Sequence, residues 1–278
     1  MLIHAGYDIT YDCPHPVPAV FLLNVHHSRS GDIVSERPLA CRPAVPVRTY
    51  FDGFGNRCTR VLLPAGRTTL SARLDLRDSG LPDAVNPEAV QQEVSELPEE
   101  VLVYLLASRY CDTDLLSDFA WSRFGHIPPG WARLQAICDF AHQHIRFDYQ
   151  LANSARTAAG ALSDGVGVCR DYAHLAVALC RCMNIPARYC TGYLGDIGVP
   201  PVPDPMDFSA WFQAYLGGRW YTMDARHNVP RIGRILIGTG RDAADVAIST
   251  TFGPASLAGF EVITEEGSDE AGSAVMAA

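Results

Sequence analysis

Cys169 is the residue whose setting in the sequence best suits chemistry. Glycines at 160, 165 and 167 precede it in a loop. Tyr172, Leu175, Ala176, Leu179, Cys180 and Met183 follow at intervals of three and four, the spacing of a helix with one buried face. A thiol at the start of such a helix feels the positive end of the macrodipole, which can bring a cysteine pKa from about 8.5 down to roughly 3.5–7.5. The glycine loop would expose the sulfur. The unpaired amides of the helix start are donors for the oxyanion of a tetrahedral acyl intermediate. Against this stands the plainer reading of a buried structural thiol. The histidines offer less. His174 lies five residues further, about 140° around the helix, and faces elsewhere. His142 with His144, and His26 with His27, do not converge on a metal without a distant third ligand.

The elements that must position the thiol are legible on both sides of it. Asn184 can take the left-handed conformation just past the helix, and Pro186 cannot continue it. Arg188 to Leu194 then reads as a strand. Phe208 to Leu216 and Arg219 to Asp224 flank Gly217-Gly218, a strong hairpin signal. Counting register outward from that turn sets Trp211 opposite Asp224, Ser209 opposite Arg226 and Phe208 opposite His227. Ser209, Trp211, Asp224 and Arg226 then share one face, on which Arg226 can pair with Asp224. Upstream, Val20 to Leu23 and Ser71 to Leu76 are β-type runs broken by Pro, Gly and Asn clusters, as in a sandwich. From Pro87 the pattern becomes helical, over Pro98 to Arg109 and Trp131 to Ile145. The expectation is an α+β chain: a β-sandwich-like N-terminal domain over 1–85, a second domain over 86–264 with its motifs at 157–228, and a loose tail over 265–278.

Gly165-Val166-Gly167-Val168-Cys169-Arg170-Asp171-Tyr172-Ala173-His174-Leu175, Asn184-Ile185-Pro186-Ala187-Arg188-Tyr189 and Thr191-Gly192-Tyr193-Leu194 closely resemble the nucleophile region of bacterial transglutaminase-like proteins, a superfamily often associated with cysteine proteases. Tyr50-Phe51-Asp52-Gly53-Phe54-Gly55-Asn56, within Tyr7 to Asp78, looks like the β-rich N-terminal domain these proteins commonly carry. The resemblance implies a papain-like domain, with helices packed on an antiparallel sheet. Its cysteine opens a helix, its histidine lies on a following strand in a His-Ala-Trp motif, and its aspartate lies on the next strand. Cys169 and Asp224 match those positions. The histidine position reads Ser209-Ala210-Trp211, and a serine hydroxyl is no base near neutral pH. His227 is the substitute, provided that the second hairpin strand ends or bulges near Ala225. Otherwise its parity puts it on the opposite face.

Composition narrows the function classes. The chain has 278 residues, 48% of them hydrophobic and 19% charged, as in globular proteins. A net charge of −9 argues against a nucleic-acid or acidic-membrane partner. No signal-like leader is visible, and the densest apolar run, Val101 to Ala107, is far short of a membrane span. Nine cysteines without a CxxC pair suit a reducing cytoplasm. Two functions follow from these residues. In one, Cys169, Asp224 and His227 hydrolyse or transfer acyl groups of a peptide or protein through a thioester, without cofactor or metal. In the other, the fold is catalytically silent and binds a peptide or protein partner.

Overall fold

The computed structural model describes residues 1–201 and 207–267. Six strands come first: β1 (Leu2–Cys13), β2 (Val17–Phe21), β3 (Ile33–Arg42), β4 (Val47–Phe51), β5 (Arg57–Leu63) and β6 (Gly66–Arg77). The helical stretch follows, with α1 (Glu99–Leu102), α2 (Ser117–Phe124) and α3 (Trp131–His144), then strand β7 (Arg146–Phe147), helix α4 (Ala158–Asp164), strand β8 (Val166–Gly167) and helix α5 (Cys169–Cys182). The chain finishes with β9 (Ala187–Tyr193), β10 (Ser209–Leu216), β11 (Arg219–Met223), β12 (Ile235–Gly240), β13 (Ser249–Thr251) and β14 (Ser256–Gly267). No helix among the described residues is long and apolar enough to cross a membrane.

Three antiparallel sheets carry the fold, in the orders β14-β1-β6-β3, β13-β2-β5-β4 and β11-β10-β9-β12. The inward side chains of the first two, among them Ile3, Tyr7, Ile9, Phe21, Leu63 and Leu70, form one core. That core runs on to Tyr193, Phe208 and Ile235 of the third sheet region. The β-rich start and the helical part are therefore not closed off from each other. Both β13 and β14 return from the far end of the chain to pair with β2 and β1. Glu265, Glu266 and Gly267, expected in the tail, instead extend β14 opposite His4, Ile3 and Leu2. They pair because β1 is long enough to offer a ladder that far. The rest of the expected tail, 268–278, lies outside the described residues.

Helix α5 packs on β9 and β10 on one side and on α3, α4 and α2 on the others. Every residue from Asp171 to Cys182 is buried, so the single buried face read from periodicity understates its environment. Enclosure on several sides forces the polar residues to find partners inside. Arg181 donates to the carbonyls of Ala187, Leu106 and Arg241. Asn184 does adopt the left-handed conformation, with φ 59°. The helix expected over Pro98 to Arg109 shrinks to α1 and a 3-10 turn over Val103–Leu105.

Candidate functional site

The start of α5 is built by a reciprocal pair of bonds. The Val168 amide donates to Asp171 Oδ2 at 2.9 Å, and the Asp171 amide donates to the Val168 carbonyl at 2.8 Å. This is one half of a capping box, the aspartate at the third helical position reaching back to the N-cap amide, since valine offers no side-chain acceptor for the other half. Arg156 closes it from outside, donating to Asp171 Oδ2 at 3.3 Å and to Asp164 Oδ2 at 2.9 Å. Gly167 is required here: a Cβ on it would come within 2.6 Å of Asp171 Cβ. Cys169 thereby becomes the first residue of the helix, with the donor-rich amides of its first turn around the thiol. It is half-buried, whereas the other eight cysteines are buried; all nine are free thiols.

Position alone does not lower this thiol's pKa. Burial pushes it up, the Arg226 guanidinium works against that, Asp207 pushes it up further, the Ala210 backbone amide favours the thiolate, and Asp224 opposes it. The net shift is upward, against the lowering expected from the sequence, and burial is its largest cause. The Ala210 amide next to the sulfur also locates it against the start of β10, beside Ser209. That serine is 7% exposed, and its Oγ has no hydrogen-bond partner among the described residues.

The hairpin register is as counted, from Leu216 opposite Arg219 to Phe212 opposite Met223, but the pairing stops there. Asp224 to His227 form a turn instead of continuing β11. With β11 ended at Met223, the facing of Ser209 and Arg226 expected from the count does not occur; on its other side Ser209 pairs with Gly192 of β9. Asp224 folds its own turn around itself, accepting the amides of Arg226 and His227 at Oδ1, both at 3.0 Å. The His227 ring comes back over it and donates from Nδ1 to Asp224 Oδ2 at 2.9 Å. The condition under which His227 could join Asp224 is met, because the strand ends before the parity argument applies.

Arg226 does not pair with Asp224. Arg234 does, through Nη2 to Oδ2 at 2.8 Å, while its Nε holds Asp83 at 2.9 Å. Burial alone would push the Asp224 carboxyl up, but Arg234 and the bonds from His227 outweigh it and hold the group well below the usual carboxylate range. Arg226 instead lays its guanidinium over the Phe147 ring, 3.9 Å from the centroid. The turn is pinned to α3. His142 Nδ1 donates to the carbonyl of Arg226 at 2.9 Å, and Asn228 donates to Asp139 at 2.8 Å. His144 donates to the Leu162 carbonyl, so both helix-end histidines are occupied by structure. His174 is buried, accepts the Ala243 amide at Nε2, and lies between the rings of Tyr110 and Tyr189. Among the described residues no group of three or more His, Cys, Asp or Glu side chains could hold a metal.

The sequence reading missed Arg234 and Asp83, since ion pairs across ten residues and across the fold leave no periodic signal. It also missed Phe147 as the platform for Arg226.

The profile described as the Transglutaminase-like superfamily matches residues 125–225. The crystal structure of a "putative cysteine protease" from Cytophaga hutchinsonii is 31% identical, covers 95% of this chain and 90% of its own, and superposes with a TM-score of 0.82. The periplasmic domain of TgpA from Pseudomonas aeruginosa, bound to ethylmercury, is 15% identical over 78% of this chain and 91% of that one, with a TM-score of 0.36. The uncharacterized protein ML0607 of Mycobacterium leprae is 40% identical over 84 residues, 29% of this chain and 30% of the length of that protein.

Proposed function

The chain belongs to the transglutaminase-like superfamily, and from that premise we propose that it hydrolyses or transfers acyl groups of peptides or proteins with Cys169 as nucleophile and His227 as base. The observation that carries this reading is the 2.9 Å bond from His227 Nδ1 to Asp224 Oδ2. It fixes the tautomer, leaving Nε2 as the acceptor, and it stabilises the imidazolium that forms when the thiol gives up its proton. In the first step the thiol proton passes to His227 Nε2 as sulfur bonds to the carbonyl carbon. The oxyanion that results faces the first amides of α5. Collapse breaks the C–N bond, and the amine leaves with the proton from His227. Water or a second amine, deprotonated by the same ring, then attacks the thioester and restores the thiol. No cofactor or metal takes part. A chain with nine cysteines suits a reducing compartment, so a cytoplasmic setting belongs to the same proposal.

A catalytically silent fold is favoured by one observation, the unpartnered Ser209 hydroxyl where the superfamily motif has its histidine. Turnover of a glutamine-containing peptide, followed by ammonia release, separates the two. His227→Ala is expected to cost about 100-fold or more, the range for loss of a general base. An unchanged rate in that variant overturns His227 as the base. A wild-type protein that is inert, but gains turnover as Ser209→His, supports the silent reading.

A further inference from the structure

Among the described residues Arg226 makes no ion pair, at a site where the neighbouring arginines are committed. Arg156 is held by Asp164 and Asp171, Arg231 by Asp196, and Arg234 by Asp83 and Asp224. Among the described residues the Arg226 guanidinium makes no ion pair and no hydrogen bond; its backbone amide and carbonyl are the groups that bond, to Asp224 and His142. Its side chain is half-buried and its guanidinium lies over the Phe147 ring. Phe147 pairs in register with Gly167, two residues before Cys169. The Asp148 amide donates to the Gly167 carbonyl at 3.0 Å, so this platform is tied to the cysteine loop itself. Of the two carboxylates that act on the same thiol, Asp224 is taken by Arg234 and His227, while Asp207 feels the Arg226 charge without coming within ion-pair distance of it.

We propose that the Cys169 site selects acyl ligands that carry a carboxylate beside the reacting carbonyl, bound by the Arg226 guanidinium on its Phe147 platform. This rests on Cys169 being the reacting thiol of the site, and adds the chemical class of what reaches it. A planar guanidinium held by a ring keeps its orientation, and its N–H edge suits the two oxygens of a carboxylate. It serves as a specificity residue, apart from the base.

The test compares alkylation of Cys169 in the full chain by iodoacetate and by iodoacetamide, followed on the Cys169 peptide by mass spectrometry. In both reactions sulfur bonds to the CH2 carbon and iodide leaves, so the reagents differ only in the carboxylate. Relative to N-acetylcysteine, the wild-type iodoacetate preference is expected to be about three- to tenfold higher at low ionic strength, shrinking in 0.5 M salt. Arg226→Gln is expected to abolish the excess, and Arg226→Lys to keep part of it. The iodoacetamide rate reports whether each variant still presents the thiol. A wild-type ratio at or below that of the free thiol, or an unchanged ratio in Arg226→Gln, overturns the proposal.

Protection of Cys169 from iodoacetamide by peptides identifies the source of the carboxylate. One pair differs in an acidic or amide side chain with both ends capped, the other in a free or amidated C-terminus with neutral side chains. Protection by either carboxylate arm alone supports the proposal, and equal protection by the acid and amide forms of both pairs overturns it. A charge preference without turnover leaves this inference standing while the catalytic reading fails; turnover without a charge preference does the reverse.

Discussion

The carboxylate of Asp224 accepts four hydrogen bonds: two from the backbone of its own turn, one from an imidazole and one from a guanidinium. Its charge is therefore shared between a group that can move a proton and one that cannot. Arg234 is itself buried and bridges Asp224 to Asp83. Replacing it leaves two carboxylates without their cation. Arg234→Met is expected to destabilise the fold by about 3–5 kcal/mol, the range for breaking a buried pair from one side, read by urea unfolding. The sign with pH follows from the depressed Asp224 carboxyl. Its contribution is present above the unfolded pKa near 3.9 and is lost as pH falls toward the folded value. Without Arg234 the folded carboxyl moves up, so acid unfolding should begin at a higher pH; an unshifted acid midpoint would contradict the pairing. The sequence placed Asp224 and His227 within reach of each other only conditionally. The condition was that the second hairpin strand end or bulge near Ala225; it ends at Met223, a choice made by the hydrogen bonds of the turn and by α3 beneath it.

Helix α5 illustrates what periodicity can and cannot resolve at the scale of an element. Its start, its stop and its apolar stripe are all visible in residue types, because caps and i, i+3, i+4 contacts are local. That it is buried on every side is decided by α3, α4 and the sheet closing around it. His174 shows the consequence. Burial pushes its imidazole well below the usual histidine range, and Arg170 and Arg181 push the same way. The native state holds this ring neutral while the unfolded chain protonates it below about 6.5, so stability falls as pH drops below that value. His174→Gln, which keeps an acceptor for the Ala243 amide, should lose less stability between pH 6.5 and 4.5 than wild type, by up to about 1.4 kcal/mol per pH unit. Parallel thermal unfolding curves across that range would refute the assignment. His26 adds to the same slope, since burial foremost and its neighbour His27 take it down to about 4.

The whole molecule is joined by its last strands. β14 pairs with β1 along nearly its full length, and β13 pairs with β2, so residues from opposite ends of the chain share two sheets. A chain ending before Ser256 strips β1 of one neighbour and uncovers its edge, and an uncovered edge of that length invites association. Such a truncation is expected to lose the single cooperative unfolding transition and to aggregate. A monomeric, cooperatively unfolding product would show that the sandwich stands without β14. Residue types and spacing by themselves determined the helix that Cys169 opens, the hairpin turn with its register, and the β-rich start, because each is written in a few neighbouring positions. Only the tertiary structure decided which arginine pairs with Asp224, which one lies over Phe147, that burial raises the thiol's pKa, and that the C-terminal strand closes the N-terminal sheet. Those outcomes depend on side chains from distant segments meeting in a low-dielectric interior, where desolvation and pairing are set by neighbours that no local pattern names.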